Sequence, residues 1–486
     1  MKSRFFLLTV FSIPFLLSAQ NKVEKWDLRK CVDYAMQHNI SVKLADIQAR
    51  IAALQFLQAK MNKLPSANLS TGLGLQFGTS IDRTTNVYSD EQALYQNFQF
   101  SSSMQLYNFG RIRNNILSQQ YNAQASLQDI AKASNDAALS VTTYYLQVLS
   151  ADEQLNISNL QIQQTQEQID ITSKKVKVGS LPELNLAEIE AQLATDSSNY
   201  IAAKTNYDQA LLMLKGLLNL DAALPFDIVV PDVDKIPVVP ITDLQPEPLY
   251  QLALITQPTQ KGNEYRIKSA EKNVLVSKAA MYPILSFGIN LSSNFYNSFQ
   301  NYTGYTLNGY SPTGAYVVDN GGNHLNVLSP NYSLIQSRRS FSQLWDGWGE
   351  QLKHNFGQGL GFNISLPIFN NGQAKIGYEQ SKLNLKSYVL QQEQANTKLK
   401  QDIYTAYTNA INAHQKLVSG IKAVETAQKT YDYSMKRYQN GLLATIDLLT
   451  NQNNLLRSKM QQVVNQFDYV FKMKLLEFYK GQGLKL

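Results

Sequence analysis

The feature that most constrains this chain is a pair of glycines that occurs twice with one spacing. Gly110 and Gly179 are 69 residues apart, and Gly372 and Gly441 are also 69 residues apart. In both copies a strand-like stretch precedes the first glycine, and no proline lies between the two glycines. A repeat of this length indicates one structural unit that is used twice.

The segments between the paired glycines predict two very long helices. In both segments the apolar or small residues recur at alternating steps of three and four, which is the heptad pattern of a coiled-coil seam. A continuous helix of this length would be about 100 Å long, at about 1.5 Å per residue. The seam positions are Tyr144, Val148, Ala151, Leu155, Ser158, Ile162, Thr165, Ile169, Thr172 and Val176, and then Ile403, Ala406, Ala410, Ala413, Leu417, Gly420, Val424, Ala427, Tyr431, Ser434 and Tyr438.

Shorter helices are predicted on either side of each long helix. A return helix follows each second glycine, over about 182–218 and about 444–479. A further helix opens each half, over about 27–63 and about 249–281, and both are expected to stop just before a proline. Each half is therefore expected to hold an opening helix and one long helical hairpin.

Four stretches of about ten residues alternate between apolar and small polar side chains. They cover 69–77, 98–106, 285–292 and 359–368, and the period of two predicts β-strands. This length suits a tilted strand that crosses a bilayer with its apolar face toward lipid and its polar face toward water. The alternative is a soluble sandwich that buries the apolar faces on each other.

Four strands do not close a membrane barrel, because single-chain barrels begin at about eight strands and lipid does not tolerate an open edge. If these strands cross a membrane, the chain must share its barrel with copies of itself. Two, three or four copies would give eight, twelve or sixteen strands, and the arithmetic alone does not choose between them.

The chain is predicted to divide into a signal peptide and two repeats. Residues 1–19 combine a basic start, an apolar core and a small-residue cleavage site, as secretory signals do, and a retained anchor is the alternative. Residues 20–224 and 249–486 are the two repeats, and six prolines in 225–248 predict an extended segment between them. The second repeat has a long insertion, 296–355, predicted as an external loop, with a flexible cap lacking specific partners as the alternative.

Several functional classes find no support in the sequence. The net charge of +7 is scattered rather than clustered, which gives no indication of nucleic-acid binding. The single cysteine, Cys31, lies in a helical pattern and is predicted to be a buried structural thiol. No catalytic, cofactor or metal motif is present, so we expect no enzyme; the four histidines lack ligand spacing and are His38, His324, His354 and His414.

The order of strand, long helix, glycine turn and return helix, repeated twice, resembles the TolC-type outer-membrane efflux proteins. The local matches are Arg437-Tyr438-Gln439-Asn440-Gly441, Ile446-Asp447-Leu448-Leu449 and Pro367-Ile368-Phe369-Asn370-Asn371-Gly372. The resemblance implies a mostly α-helical fold with a membrane β-barrel portion. It further implies a homotrimer with a twelve-stranded barrel in the outer membrane, which continues into a twelve-helix barrel through the periplasm.

The resemblance also implies roles for the two glycine turns. They would form the periplasmic tip, where a gate would include Asp447 and Tyr438. The chain departs from the family pattern at Asn185, Leu443 and Thr450, so the closed-state links do not transfer as a whole. The residues that would contact a periplasmic adaptor are Val178, Gly179, Ser180 and Leu181 in one turn, and Asn440, Gly441, Leu442 and Leu443 in the other.

The sequence thus predicts an outer-membrane channel-tunnel of a tripartite efflux or type I secretion system. It would be a passive exit duct, docked to a periplasmic adaptor and an inner-membrane pump, and surrounded by outer-membrane lipid. Two alternatives stay open at this point: a periplasmic coiled-coil scaffold without a channel, and an uptake porin. The exported cargo and the class of pump are not encoded in any motif of the chain.

Overall fold

The computed structural model describes residues 25–81, 86–231 and 239–481. The predicted signal peptide, 1–19, and Pro237 of the proline-rich segment lie outside these described residues. The chain forms two compact units, each of which draws on both halves of the sequence. The first unit takes in the described parts of Met1–Leu54, Gln120–Ser269 and Leu385–Leu486, and the second takes in the described parts of Gln55–Gln119 and Ala270–Asn384.

The units do not follow the predicted repeats, 20–224 and 249–486. A repeat is a stretch of sequence that is used twice, whereas a compact unit is a set of residues that pack together. Because each long helix runs through both units, the two divisions differ. The repeat boundaries stay a prediction about the duplication.

Helices account for most of the described residues. The helices are α1 (Leu28–His38), α2 (Ile40–Met61), α3 (Arg111–Lys177), α4 (Glu183–Leu217), α5 (Pro246–Thr256), α6 (Pro258–Ala279), α7 (Trp348–His354), α8 (Gln373–Gln439) and α9 (Thr445–Tyr479). The long helices α3 and α8 have 67 residues each, and the return helices α4 and α9 have 35 residues each. None of the helices in the described ranges is both long and apolar enough to cross a membrane.

The two opening helices are each broken, which the sequence analysis did not predict. The backbone of Asn39 leaves the helical region with a ψ of 134°, and its side-chain oxygen accepts the N–H of Ser41 at 2.9 Å, which starts α2. Gln257, with a ψ of 132°, separates α5 from α6 because the following Pro258 disfavours helical backbone before it. Helix α5 also begins at Pro246, inside the segment predicted to be extended, because proline suits the first turn.

The predicted strands form one antiparallel sheet. The described strands are β1 (Lys25–Trp26), β2 (Ser66–Ile81), β3 (Tyr88–Tyr107), β4 (Asp227–Ile228), β5 (Ile284–Ser298), β6 (Gln300–Val318), β7 (His324–Arg338) and β8 (Gly357–Ser365). The order in the four-stranded sheet is β2-β3-β5-β8, and all neighbours are antiparallel. The last strand ends at Ser365 rather than at 368, just before Leu366-Pro367.

The register puts the predicted apolar residues within the four strands on one face of this sheet, except Leu106, because a register shift there pairs Tyr107 with Leu285 instead. Met104 lies opposite Phe287, which in turn lies opposite Phe362, so the three side chains form a row across β3, β5 and β8. Phe100 lies between Leu69 and Leu291 in a second such row. The alternation in the sequence therefore produces one apolar and one polar face, as expected for directly opposed residues.

The insertion 296–355 is structured, whereas we expected a long loop. It contains the antiparallel pair β6–β7, a 3₁₀ turn at Gln343–Trp345 and helix α7. Leu344 packs against Leu94 and Phe295 of the sheet. The strand pattern was obscured because extra residues in β6 produce three register shifts, which interrupt the period of two.

In the first unit, the short strands β1 and β4 and the segment after α4 are held against the helices by hydrogen bonds. Strand β1 pairs in parallel with β4, and the Tyr145 hydroxyl donates to the Val229 carbonyl at 2.6 Å. The buried Lys215 donates to the carbonyls of Ala222 and Leu224 at 2.6 and 2.5 Å, which holds the chain that leaves α4. These bonds satisfy buried polar groups that would otherwise destabilise the fold.

Candidate gate and docking site at the glycine turns

The first glycine turn ends α3 with a Schellman motif. Gly179 has a φ of 74°, in the left-handed region that favours glycine. The N–H of Ser180 donates to the Lys175 carbonyl at 2.9 Å, and the N–H of Gly179 donates to the Val176 carbonyl at 2.9 Å. These two bonds satisfy carbonyls that the end of the helix leaves unpaired.

The second turn repeats this geometry at the end of α8. Gly441 has a φ of 72°, the N–H of Leu442 donates to the Arg437 carbonyl at 2.8 Å, and the N–H of Gly441 donates to the Tyr438 carbonyl at 3.0 Å. The glycines that defined the sequence repeat are therefore the left-handed residues of two equivalent turns. Both positions require a residue that tolerates positive φ.

The eight residues proposed for adaptor contact lie at or beside these turns, and most of them are exposed. The apolar side chain of Val178 is 79% exposed, and that of Leu442 is 66% exposed. Ser180 and Asn440 are also exposed, and Leu181 and Leu443 are partly buried. Each turn thus presents one prominent apolar side chain together with polar backbone.

Asp447 lies in the first turn of α9 and is exposed. The N-cap residue, Ala444, provides no side-chain hydrogen bond to this helix end. Within the described ranges no ion pair or hydrogen bond of the Asp447 carboxylate is present. The carboxylate is favoured there by the helix dipole and stays available to an ion or a partner.

Tyr438 is buried, with 5% of its surface exposed, and it joins the two long helices. Its hydroxyl and that of Thr172, on α3, lie 3.2 Å apart in a hydrogen bond. The Lys175 ammonium donates to the Gln439 carbonyl at 3.1 Å and so adds a second link beside the first. Tyr438 therefore packs in the helix seam and bonds across it at the same time.

A buried polar ladder continues from this link along the helices. The Thr165 hydroxyl donates to the Asp196 carboxylate at 2.6 Å, and the Gln452 amide donates to Thr165 at 3.1 Å. Gln192 and Asn453 exchange amide hydrogen bonds of 3.2 Å in both directions. Further links join Gln168 to Tyr431 at 2.9 Å, and Asn185 to Thr445.

The ladder makes the interface between the two helical hairpins polar. Asp196 is 1% exposed, and no cation in the described part of the chain forms an ion pair with it. Its carboxylate is instead satisfied by hydroxyl and amide donors, among them the Gln192 amide at 2.8 Å. Such a network holds its partners in one register, because each bond lost in a buried place leaves a polar group unpaired.

The sequence analysis found only part of this ladder. Ser158, Thr165 and Thr172 were predicted in the α3 seam and are buried. The other predicted seam positions there, Ile162 and Ile169, are only partly buried, and the adjacent Gln161 and Gln168 are buried instead. The available signal was the spacing of polar residues 161, 165, 168 and 172, which is itself a heptad pattern.

Among the described residues, no group of three or more histidine, cysteine, aspartate or glutamate side chains could hold a metal ion. The turns thus offer two features for function: the exposed Asp447 carboxylate at the start of α9, and the exposed apolar side chains of Val178 and Leu442.

Comparison with known proteins decides the family. The sequence profile of the family described as outer membrane efflux protein matches residues 32–220 and 336–470, which is well over half of the chain. The chain belongs to this family. It is an outer-membrane efflux channel that extends into the periplasm, as the sequence analysis predicted, and this assignment decides against the scaffold and the uptake porin.

Individual relatives agree with the family assignment. The chain is 23% identical over 403 residues to outer membrane protein TolC of Escherichia coli, covering 81% of this chain and 72% of that protein. It is 20% identical to the probable outer membrane lipoprotein SilC of Salmonella typhimurium, covering 93% of this chain and 85% of that protein. The crystal structure of the Campylobacter jejuni CmeC outer membrane channel matches with a TM-score of 0.70 at 19% identity, covering 94% of this chain and 86% of that one.

The family also settles two coarser predictions. Its members are non-enzymatic transport ducts, in agreement with the prediction that the chain is not an enzyme. They are homotrimers that work with periplasmic adaptors and inner-membrane pumps. The fold prediction, mostly helical with a β portion, is confirmed by the helices, the sheet and the structural neighbours of this family.

Proposed function

We propose that three copies of this chain together form the complete wall of one channel. The channel is gated at the tip that the two glycine turns make. The channel is a passive exit duct, and its direction comes from an inner-membrane pump to which a periplasmic adaptor connects it. Three copies of the four-stranded sheet supply twelve strands, and three copies of the two long helices and the two return helices supply twelve helices.

The observation that carries this proposal is the state of the four-stranded sheet. In the described residues β2 and β8 are its outer strands, so one edge of each has no partner within the chain. The apolar face is also uncovered over much of its area: Leu69, Phe77, Leu360 and Phe362 are 66–74% exposed. Open edges are not tolerated in lipid, whereas an apolar outer face is required there, so further copies must complete the ring.

An unpaired heptad seam on α2 supports the same conclusion. Five apolar residues recur at steps of four, three, four and three, as in a coiled coil, yet all are 43–64% exposed. The opposite side of this helix buries Val42, Ala49 and Ala52 within the chain. The seam consists of Ile40, Leu44, Ile47, Ile51 and Leu54, and a neighbouring subunit offers the helix that it lacks.

The gate and docking roles rest on the geometry of the turns. Three copies of the exposed Asp447 that converge on a channel axis would form an anionic ring, which favours cations and repels anions. The apolar Val178 and Leu442, one on each turn, offer the adaptor two equivalent contact points. The link from Tyr438 to Thr172 holds the long helices together beside this ring.

The oligomer is tested by the mass of the full chain, extracted from outer membranes in mild detergent and measured by native mass spectrometry. We expect a trimer that conducts ions across planar bilayers. A monomer, or a trimer that never conducts, would refute the proposal.

Docking is tested with a photoreactive amino acid at Val178 or at Leu442 in cells, followed by mass spectrometry of the adducts. We expect a periplasmic adaptor at both positions and none at Leu160, which is 52% exposed on α3, 18 residues before Val178, and serves as the control. The same adducts from all three positions, or none from the turns, would count against docking at the tip.

A further inference from the structure

The β6–β7 pair carries an apolar face that nothing in the described chain covers. In the middle of the pair, Tyr305 lies opposite Leu334, Leu307 opposite Tyr332, Tyr310 opposite Pro330, and Pro312 opposite Leu328. Directly opposed residues share a face, and alternate pairs lie on the same side. The rings of Tyr305 and Tyr332 meet edge to face, with their centroids 4.9 Å apart, which agrees with this assignment. We call these eight residues the hairpin face.

The opposite side of the same segment is polar. Thr306 lies opposite Ser333, Gly309 opposite Asn331, and Ser311 opposite Ser329. The hairpin face is strongly exposed by contrast, with Tyr305 at 67%, Tyr310 at 63% and Leu328 at 52%. An isolated two-stranded hairpin is marginal in water, so an amphipathic pair of this kind needs something to cover its apolar side.

The base of the hairpin is firmly attached to the sheet. Arg339 donates to the Asn297 side chain at 2.6 Å, to the Ser298 carbonyl at 3.0 Å and to the Asn301 side chain at 2.8 Å. The N–H of Phe299 donates to the Gln92 carbonyl at 2.7 Å. Only Phe299 separates β5 from β6, and these bonds hold the start of β6 at a fixed point of the proposed barrel wall.

We infer that the hairpin face packs against the hairpin faces of the other two subunits, so that three hairpins form one extracellular collar. This inference rests on the proposed trimer. Continuity with the sheet supports it, because the interface that joins the barrel sheets also brings three copies of the hairpin together.

The charge of the hairpin fits a second copy of itself. Between Gln300 and Ser337 the one acidic residue is Asp319, in the connecting turn, and lysine and arginine are absent. Identical surfaces of low charge meet without repulsion, whereas the anionic surface of a membrane would favour a basic hairpin.

The size of the hairpin face also favours a copy held by the same assembly. Eight residues of strand length and two strands of width cover roughly 26 by 10 Å, on the order of 260 Å². A stable complex of free partners buries about 800 Å² on each side. A patch this small is therefore occupied only by a partner that another interface already keeps close, which raises its effective concentration.

The hairpin edges do not favour strand addition by a partner. Pro312 lies in the middle of β6 and Pro330 in the middle of β7, and β6 has three register shifts along its length. Proline cannot donate a ladder hydrogen bond, and bulges twist an edge away from pairing. The face, rather than an edge, is thus the surface left for contact.

The experiment places one cysteine on each side of the hairpin in the full chain, in outer membranes. Tyr310→Cys lies on the hairpin face, and Ser311→Cys, its exposed neighbour on the polar side, is the matched control. A short bismaleimide links one thiol to one other thiol, so it should join two of the three Tyr310→Cys chains of each trimer into a covalent dimer and leave Ser311→Cys chains monomeric in denaturing gels. The unmodified chain controls for Cys31, which is buried.

Three results would overturn the collar. Cross-linking of both variants would show contact without a defined face. Free labelling of Tyr310→Cys by an impermeant maleimide, without cross-links, would show an uncovered face. A probe at Tyr310→Cys that brominated lipids quench, again without cross-links, would assign the face to lipid.

A second pair of variants addresses the same contact without cysteines. Leu307→Glu places a charge in the collar, and Thr306→Glu places one on its polar side. We expect protease added outside the cells to cut the hairpin at least tenfold faster in Leu307→Glu than in Thr306→Glu; equal rates would contradict the collar. Absence of trimers in native mass spectrometry would refute the proposed function as well, whereas intact trimers without hairpin cross-links would refute the collar alone.

Discussion

At the scale of single residues, the two proposed gate positions differ in how the chain holds them. Asp447 is exposed at a helix start, and Tyr438 is buried in a hydrogen bond between two helices. Asp447 is therefore suited to act on passing ions. Tyr438 is suited to stabilise the contact between the long helices that would keep the tip closed. Substitutions at these two positions should change different measurements.

Replacing Asp447 by alanine should lower the cation preference of the reconstituted channel and raise its anion conductance, because the proposed anionic ring disappears. Single-channel recordings in asymmetric salt measure both. Glu183→Gln, which neutralises the exposed acid in the first turn of α4, is the control and should change neither. An unchanged ion preference in assembled Asp447→Ala trimers would remove this residue from the gate.

Replacing Tyr438 by phenylalanine deletes the hydroxyl that bonds Thr172 and keeps the ring in the seam. Loss of one such bond should cost about 1 kcal/mol and favour opening of the tip. More frequent openings in planar bilayers are the expected result, with Tyr433→Phe, at an exposed site on the same helix, as the control. The same opening frequency in both variants would contradict a role for this link.

The thiol of Cys31 provides a test of burial. It is fully buried, and burial raises the pKa of the Cys31 thiol to about 12. Since only the thiolate reacts, maleimide at pH 8 should label the native protein negligibly and the denatured protein completely. Fast labelling of the native channel would show that the helices around α1 open locally.

At the scale of elements, α8 and α9 approach each other closely at Gly420. A Cβ atom at Gly420 would lie 3.0 Å from the Asn465 amide nitrogen, which itself donates to the Lys416 carbonyl at 3.1 Å. Gly377, on the same helix, has open space around its Cβ position. The two glycines thus separate a packing effect from a helix-propensity effect.

Gly420→Leu should destabilise the first unit by about 1–3 kcal/mol, because the side chain overpacks the contact with α9. Gly377→Leu changes helix propensity in the same way and should not lower stability. Thermal unfolding followed by circular dichroism compares the two variants. A higher melting temperature for Gly420→Leu than for Gly377→Leu would show that the helices adjust at no cost.

Periodic patterns predicted most elements, and the misses have physical causes. The long helices and the four-stranded sheet follow from strict heptads and strict alternation, which tertiary contacts reinforce. The break at Asn39 was missed because one residue there leaves the helix without changing the surrounding pattern, and the break at Gln257 was missed although Pro258 marks it in the sequence. The hairpin was missed because its bulges shift the alternation.

The sequence predicted the two glycine turns of the candidate site, but not the buried hydrogen bonds between the helical hairpins. The glycines needed for positive φ are visible in the sequence at Gly179 and Gly441. The ladder was missed because glutamines are assigned to solvent by pattern, whereas Gln161 and Gln168 are buried beside the carboxylate and the tyrosine that accept their bonds. Only the packed hairpins show that these amides have partners.

At the scale of the whole molecule, we expect the unpaired seam on α2 to decide whether the chain assembles. Ile47→Glu places a charge in the middle of that seam, and burying it against another helix without a partner would be costly. We expect native mass spectrometry to show mainly monomers for this variant. Gln48→Glu, on the adjacent exposed position, is the control and should leave trimers intact. Stable Ile47→Glu trimers would show that another surface joins the subunits.

The matched helix lengths also limit how this chain can change during evolution. Both long helices have 67 residues and both return helices have 35, so the two turns end equivalent hairpins. Insertion of one heptad into each arm of a single hairpin would displace its turn by about 10 Å, at about 1.5 Å per residue. Viable length variants should therefore arise in pairs, one in each copy of the duplication, whereas substitutions can accumulate in either copy alone.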